Sequence, residues 1–172
     1  MKENIRDRSK PGTWVAIPLP KGGYALGLVA RRAESRRQLR RTFIYIFGPR
    51  AQSPEELALH LNRGVNESIR FGFTMDPAIL EGRWPIVGRI QPFIPDDWPV
   101  PLVKSGPIGG GPDFMRRREL YELGDDLEGK RVFAERIVDD PKDYANRGTH
   151  GYISFEEFAE RQIEEKPLLS DL

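Results

Sequence analysis

Three β-prone runs near the N-terminus most constrain the fold of this chain. The first two, Trp14–Leu19 and Tyr24–Ala30, flank a turn at Pro20–Gly23, and the third is Thr42–Phe47. Glycine tolerates the positive φ that tight hairpin turns need, so Gly22-Gly23 between two such runs predicts a β-hairpin. The third run follows with the same character, and we therefore predict a three-stranded antiparallel meander.

Apolar residues occupy nearly every position of these runs, not every second one. Such a pattern indicates strands that are covered on both faces for part of their length. We therefore predict an α+β, β-rich fold built on a strongly bent antiparallel sheet. A small SH3-like barrel and a sandwich both satisfy this pattern.

Two helices are predicted by their start signals. Ser53 at the N-cap, proline next and Glu56 at N3 predict a short helix over Pro54–Asn62, after the third strand. A second capping pattern and an apolar stripe predict a C-terminal helix over Ser154–Glu165. Further strands are predicted at Ser68–Phe73, Trp84–Ile90, Phe114–Leu123 and Lys130–Val138.

The length of 172 residues predicts a single β-rich domain over residues 12–172, preceded by a basic, flexible leader over residues 1–11. The chain has no cysteine, which excludes disulfides and fits a reducing compartment. Its start is charged, and no apolar run reaches the roughly 20 residues that span a bilayer. We therefore expect a cytoplasmic protein without a membrane partner.

An arginine cluster between the second and third strands is the strongest polar feature. Residues 31–50 hold seven arginines and one glutamate, although the whole chain carries a net charge of only +1. Arginine forks pair with phosphates or carboxylates, so the cluster predicts partner binding. Its members are Arg31, Arg32, Arg36, Arg37, Arg40 and Arg41. An acidic protein surface, a nucleic acid and simple solvation of the loop all fit, but the near-neutral charge and the few interleaved aromatics argue against nucleic acid.

One tryptophan lies in a proline-rich loop instead of a predicted strand. Trp98 follows Asp96-Asp97 and precedes Pro99. Because tryptophan is enriched at interface hot spots, we predict that Trp98 binds the partner in addition to the arginine cluster.

The sequence offers no arrangement typical of an active site or a bound cofactor. Its two histidines, His60 and His150, stand far apart without metal-ligand spacing, and no GxSxG motif occurs. The glycine run Gly109–Gly111 lacks the Lys-Ser/Thr of a phosphate-binding loop. We therefore predict a protein that is not an enzyme, with no catalytic residues, no metal and no cofactor.

Five short blocks in a fixed order resemble the immunity protein 26 family of bacterial polymorphic toxin systems. The resemblance covers about residues 12–104 and leaves residues 105–172 unmatched. It implies a β-rich, non-enzymatic protein that neutralises a cognate toxin by direct, stoichiometric binding; the alternative is a nucleic-acid-binding β module that uses the hairpin 31–41. The blocks are Gly12–Leu19, Gly22–Arg31, Phe47–Pro49, Arg70–Gly72 and Gly82–Arg89.

The chain departs from the family pattern in two places. Residues 32–41 look like an insertion into a tighter hairpin. After Arg70–Gly72 the resemblance implies an aspartate and a short Gly-Leu segment, but Phe73–Leu80 stands there, with Asp76 in its middle. The sequence does not identify the toxin, the face that contacts it or the oligomeric state.

Overall fold

The structure is a computed structural model, and it describes residues 5–33, 40–107, 118–123, 127, 129–134, 145–146 and 150–164. Within this part of the chain, no helix is long and apolar enough to cross a bilayer.

A five-stranded antiparallel sheet forms the centre of the fold. Its order is β4-β3-β2-β1-β5, so the three N-terminal strands form the predicted meander, with one further strand added on each side. The strands are β1 (Thr13–Pro18), β2 (Tyr24–Arg32), β3 (Arg41–Ala51), β4 (Arg70–Met75) and β5 (Ile86–Arg89).

The predicted glycine turn joins β1 to β2. Gly22 and Gly23 adopt φ values of 94° and 75°, which L side chains rarely adopt. A Cβ on Gly23 would also lie 2.5 Å from the carbonyl oxygen of Ala51. The turn therefore depends on glycine for both its backbone conformation and the space beside β3.

The sheet is open and not strongly curled, with β4 and β5 at opposite edges, so the predicted strong bend and barrel closure are not formed. Both faces are nevertheless covered, as the dense apolar pattern predicts. One face carries an aromatic cluster that includes Trp14, Phe43, Tyr45, Phe47 and Phe73. The other face carries an aliphatic layer and Trp84, against which the C-terminal helix packs through Phe155.

Three helices accompany the sheet. The first, α1 (Pro54–Ala58), begins as predicted, since the Ser53 hydroxyl accepts a hydrogen bond from the Glu56 N–H at 3.3 Å. The second, α2 (Pro77–Leu80), lies where the sequence predicts a connection. The third, α3 (Tyr152–Ile163), begins two residues before its predicted start.

The predicted capping box of the C-terminal helix is wrong. Gly151 is the N-cap of α3, and Ser154 lies inside the first turn, where its hydroxyl donates to the Gly151 carbonyl at 3.1 Å. The bulk of the predicted helix is confirmed, because Phe155, Ala159 and Ile163 form its buried stripe.

A second, four-stranded sheet follows the first. Its order is β8-β7-β6-β9, and β7 and β8 form an antiparallel pair at the two strand positions that the sequence predicts. Val103 and Leu127 join the aromatic cluster, so this part of the chain contributes to the cover of one face of the central sheet. The strands are β6 (Val103–Pro107), β7 (Arg118–Leu123), β8 (Gly129–Ala134) and β9 (Ala145–Asn146).

Residues 5–11 lie against the end of the central sheet. They form a short 3-10 turn at Ile5–Asp7, and the Ser9 side chain is fully buried. The Arg8 guanidinium donates to the Leu80 carbonyl at 3.1 Å, which joins this segment to the end of α2. The part of the predicted leader that the structure describes is therefore docked on the fold.

Candidate interaction surface

The base of the arginine-rich hairpin lies where β2 ends and β3 begins. Arg31 is 7% exposed, and its guanidinium donates to the carbonyls of Ala30 at 2.8 Å and Pro95 at 3.0 Å. The side chain therefore ties β2 to the 3-10 turn Pro95–Asp97. Arg31 therefore lies beneath the protein surface at the hairpin base and holds the Pro95–Asp97 turn in place.

Arg32 points to the other side of the hairpin and holds the N-terminal turn. Its Nη1 donates to the Arg6 carbonyl at 2.6 Å and lies 3.1 Å from the Ser9 hydroxyl. These hydrogen bonds join two segments that are more than twenty residues apart in sequence. The hairpin base and the N-terminal segment therefore lie side by side at this end of the sheet.

Arg41 begins β3 and Arg40 lies directly before it, and both residues are half-buried. The Arg41 guanidinium carbon lies 4.3 Å from the ring centroid of Phe73, in a cation–π contact. The structure thus brings Arg31, Arg32, Arg40 and Arg41 to one end of the sheet. The remaining two predicted residues, Arg36 and Arg37, lie outside the described residues.

Asp76 is a buried acid at this end that the sequence analysis assigns no role. It is 1% exposed, and its carboxylate accepts hydrogen bonds from the Ser9 hydroxyl at 3.2 Å and the Arg40 backbone N–H at 3.1 Å. An aspartate directly before Pro77 at a helix start is a recognisable signal, although its side chain does not cap α2. Asp76 instead joins the N-terminal segment to β3.

Trp98 lies in the core of the protein. It is 5% exposed, and its ring centroid lies 6.1 Å from that of Trp14, 5.8 Å from Tyr45 and 6.3 Å from Phe47. The Tyr45 hydroxyl donates to the carbonyl of the next residue, Pro99. The loop therefore folds back over the sheet, and the predicted partner-facing indole is enclosed by aromatic rings.

A second polar cluster, absent from the sequence predictions, holds α3 on the sheet. The Glu156 carboxylate accepts from Arg83 Nε and Nη2 at 2.7 and 2.8 Å and from the Trp84 indole N–H at 2.8 Å. The hydrogen bonds from Arg83 to the Glu156 carboxylate raise the pKa of the Arg83 guanidinium. One turn later Glu160 pairs with Arg50 and accepts from the Lys21 N–H at 3.1 Å.

The signal for this cluster is present in the sequence. Glu156 and Glu160 are four residues apart, so they lie on one face of a helix, beside the apolar stripe. Two acids next to such a stripe indicate buried, paired carboxylates, since unpaired charges are costly to bury.

A small cleft of about 280 Å³ lies between the N-terminal segment and β5. Its lining holds no carboxyl, imidazole, thiol or hydroxyl group, so the cleft lacks the groups that acid–base or nucleophilic chemistry uses. The residues that line it are Arg8, Ile79, Gly82, Trp84, Pro85 and Ile86. Among the described residues, no group of three His, Asp or Glu side chains is placed to hold a metal ion.

The described structure is therefore a sheet scaffold that carries a polar surface and offers no assembled reactive centre among the residues seen. The chain belongs to the immunity protein 26 family, Imm26, whose model matches residues 10–108. This match confirms the resemblance and extends beyond both ends of the predicted range, residues 12–104. Membership of the family implies toxin neutralisation. Immunity proteins of this kind are generally non-enzymatic inhibitors. No curated protein and no solved structure matches the chain.

Proposed function

We propose that this protein acts in the cytoplasm of a toxin-producing bacterium and neutralises the cognate toxin by direct, stoichiometric binding. The observation that carries the proposal is the Imm26 match over residues 10–108, which covers the whole central sheet. An immunity protein of this type needs a stable scaffold and a complementary surface, and a standard complex buries about 1,600 Å² in total.

The proposed contact region is the hairpin 31–41 with the loop that carries Trp98. Arg31 bonds to the Pro95 carbonyl and Trp98 fills the core beneath, so both support the surface shape. Arg32, Arg40 and Arg41 line the hairpin base, and Arg36 and Arg37 complete the arginine set.

Co-expression tests the proposal directly. A candidate toxin module is taken from a reading frame next to this gene and is induced in a sensitive bacterium, with or without this protein. Growth rescue that saturates at a fixed molar ratio, together with a complex of constant composition in size-exclusion chromatography, is the expected result. Protection by a small fraction of one equivalent would contradict stoichiometric binding, because it would indicate turnover.

A further inference from the structure

All five central strands bring one of their ends to the same side of the sheet, which we call the hairpin end. The register pairs make this explicit, since each joins a residue at the start of one strand to a residue at the end of its neighbour. These pairs are Thr13 with Arg89, Arg32 with Thr42, and Arg41 with Met75.

The N-terminal segment adds to this end. Ser9 is fully buried there, and the Arg6 and Leu80 carbonyls accept hydrogen bonds from Arg32 and Arg8. These contacts place the first described residues beside the hairpin base. Their basic side chains, including the exposed Arg6 and Lys10, therefore belong to the same surface.

Basic residues are in excess at the hairpin end. They are Arg6, Arg8, Lys10, Arg32, Arg40, Arg41 and Arg89. The acids nearby among the described residues are Asp7, Asp76, Glu81, Asp96 and Asp97, the last two in the 3-10 turn that accepts a hydrogen bond from Arg31 at the Pro95 carbonyl. Asp76 is buried against Ser9 and the Arg40 N–H, and Asp7 pairs with Lys10 at 2.8 Å, which lowers the pKa of Asp7. Among the described residues, seven basic side chains therefore stand against five acidic ones at this end, and their summed formal charge is positive.

The opposite end of the sheet, around the glycine turn, shows no such excess among the residues that the structure describes. Its acids and bases nearly balance, and several are paired with each other. The acids are Glu55, Glu56, Glu67, Glu160 and Glu164, and the bases are Lys21, Arg50, Arg63 and Arg70. Within the part of the chain that the structure describes, the excess of basic side chains thus lies at the hairpin end and not around the glycine turn.

We propose that the hairpin end, including the N-terminal segment, docks onto an acidic surface of the toxin. The proposal rests on the proposed function and names the chemistry of the partner. Guanidinium forks bind carboxylates bidentately, and a positive end facing a negative patch accelerates and orients the encounter.

A protein partner fits this end better than a nucleic acid. Binding of single strands uses exposed aromatic rings on which bases stack. Of the described aromatics nearest the arginines, Phe43 and Phe73 are fully buried, and Arg41 covers the Phe73 ring. Ile5, in contrast, is 57% exposed among the basic side chains and offers the apolar contact typical of protein interfaces.

A matched pair of charge reversals tests the assignment. The variant R6E/K10E reverses two exposed charges at the hairpin end, and R70E/R161E reverses two exposed charges elsewhere, with the same change in net charge. Association rates are measured by stopped flow with a catalytically inactive form of the toxin module, encoded beside the gene, at about 20 and about 300 mM salt. Far-UV circular dichroism and urea midpoints establish that both variants fold.

At low salt we expect R6E/K10E to associate about tenfold more slowly than the wild type, with the difference shrinking at high salt. The R70E/R161E variant is expected to stay within about twofold. Equal rates for the two variants, with the wild type still binding and rescuing growth, would overturn this inference and leave the proposed function standing. A wild-type protein that neither binds nor rescues would overturn both.

The same variants separate the nucleic-acid alternative. A double-stranded oligonucleotide replaces the toxin module, and binding is titrated with salt. We expect no retention at moderate salt. Retention there that R6E/K10E abolishes and R70E/R161E preserves would overturn the assignment to a protein partner.

Discussion

At the scale of single residues, Glu156 is a buried acid with three hydrogen bonds from distant residues. Its carboxylate is 5% exposed and accepts two hydrogen bonds from Arg83 and one from Trp84. Removal of a charged acceptor leaves the buried indole donor without an equivalent partner, and this loss exceeds that of a neutral hydrogen bond.

We therefore expect Glu156→Gln to lower the free energy of unfolding by about 2 kcal/mol. The neighbouring Glu157 is exposed, so Glu157→Gln is the matched control and should change stability by less than about 0.5 kcal/mol. Urea unfolding followed by circular dichroism measures both. Equal urea midpoints for the two variants would show that the cluster does not hold α3.

His150 gives the fold a pH dependence with a definite sign. Its ring stacks on Phe158 with ring centroids 5.2 Å apart, and its backbone N–H donates to the Phe73 carbonyl at 2.9 Å. Burial, and secondarily the charge of Arg161, lowers the pKa of His150. The unfolded chain therefore takes up this proton at a higher pH than the folded chain does.

As pH falls through the ordinary histidine pKa of about 6.5 toward the lower folded value, the native state is expected to lose stability. His150→Gln should flatten this part of the pH profile, and Arg161→Gln should make it shallower. Urea midpoints between about pH 7.5 and pH 5 provide the measurement. A wild-type slope that survives unchanged in His150→Gln would contradict the assignment.

At the scale of elements, the approach of α3 to β4 depends on a glycine. A Cβ on Gly72 would lie 3.1 Å from Phe155 Cε2 and 3.3 Å from Phe158 Cε1, which is tighter than ordinary contact. The rings would have to shift in a packed layer.

Gly72→Ala is therefore expected to destabilise the protein by about 1–2 kcal/mol through overpacking. Gly64→Ala is the control, because the nearest atom to an added Cβ there is 3.9 Å away and belongs to an exposed side chain. Thermal unfolding should show a lower midpoint for Gly72→Ala alone. A similar shift in both variants would point to backbone effects instead of helix packing.

The sequence predicts elements well where the signal is local. Apolar runs and the Gly22-Gly23 turn locate β1 and β2, and Ser53-Pro54 fixes the start of α1. The four-residue α2 is missed because a single helical turn has too few positions to show a period. The predicted start of α3 is two residues late because Ser154 is a residue type that often caps helices, whereas here its hydroxyl donates to the Gly151 carbonyl inside the first turn.

Contacts between distant segments are less accessible from sequence than local elements are. The contact of Arg31 with Pro95 and that of Glu156 with Arg83 span 64 and 73 positions, and no local pattern encodes the partner. Asp76 and Trp98 are evident as residue types, but their burial depends on how loops fold over the sheet. Whether the sheet closes into a barrel likewise depends on whether the edge strands β4 and β5 pair with each other, which no local pattern shows.

At the scale of the whole molecule, two apolar clusters share the same five strands. Trp14 and Trp98 lie in one cluster and Trp84 in the other, and all three are buried. Because loss of the sheet exposes both clusters, we expect one cooperative unfolding transition.

Tryptophan fluorescence and far-UV circular dichroism should therefore give the same urea midpoint, with a red shift of emission on unfolding. Acrylamide should quench the native protein weakly, since no indole is accessible. Separate midpoints for the two probes would show that one face opens before the other.

The helix α3 lies beyond the Imm26 match, yet its glutamates bond to Lys21, Arg50 and Arg83 within it. This arrangement makes the helix a tethered ligand of the remainder of the molecule. A synthetic peptide of residues 150–164, added to a chain that ends before residue 150, would accordingly restore stability in a saturable manner. The shortened chain and the peptide would then form a two-part system whose folding reports on the binding of one part to the other.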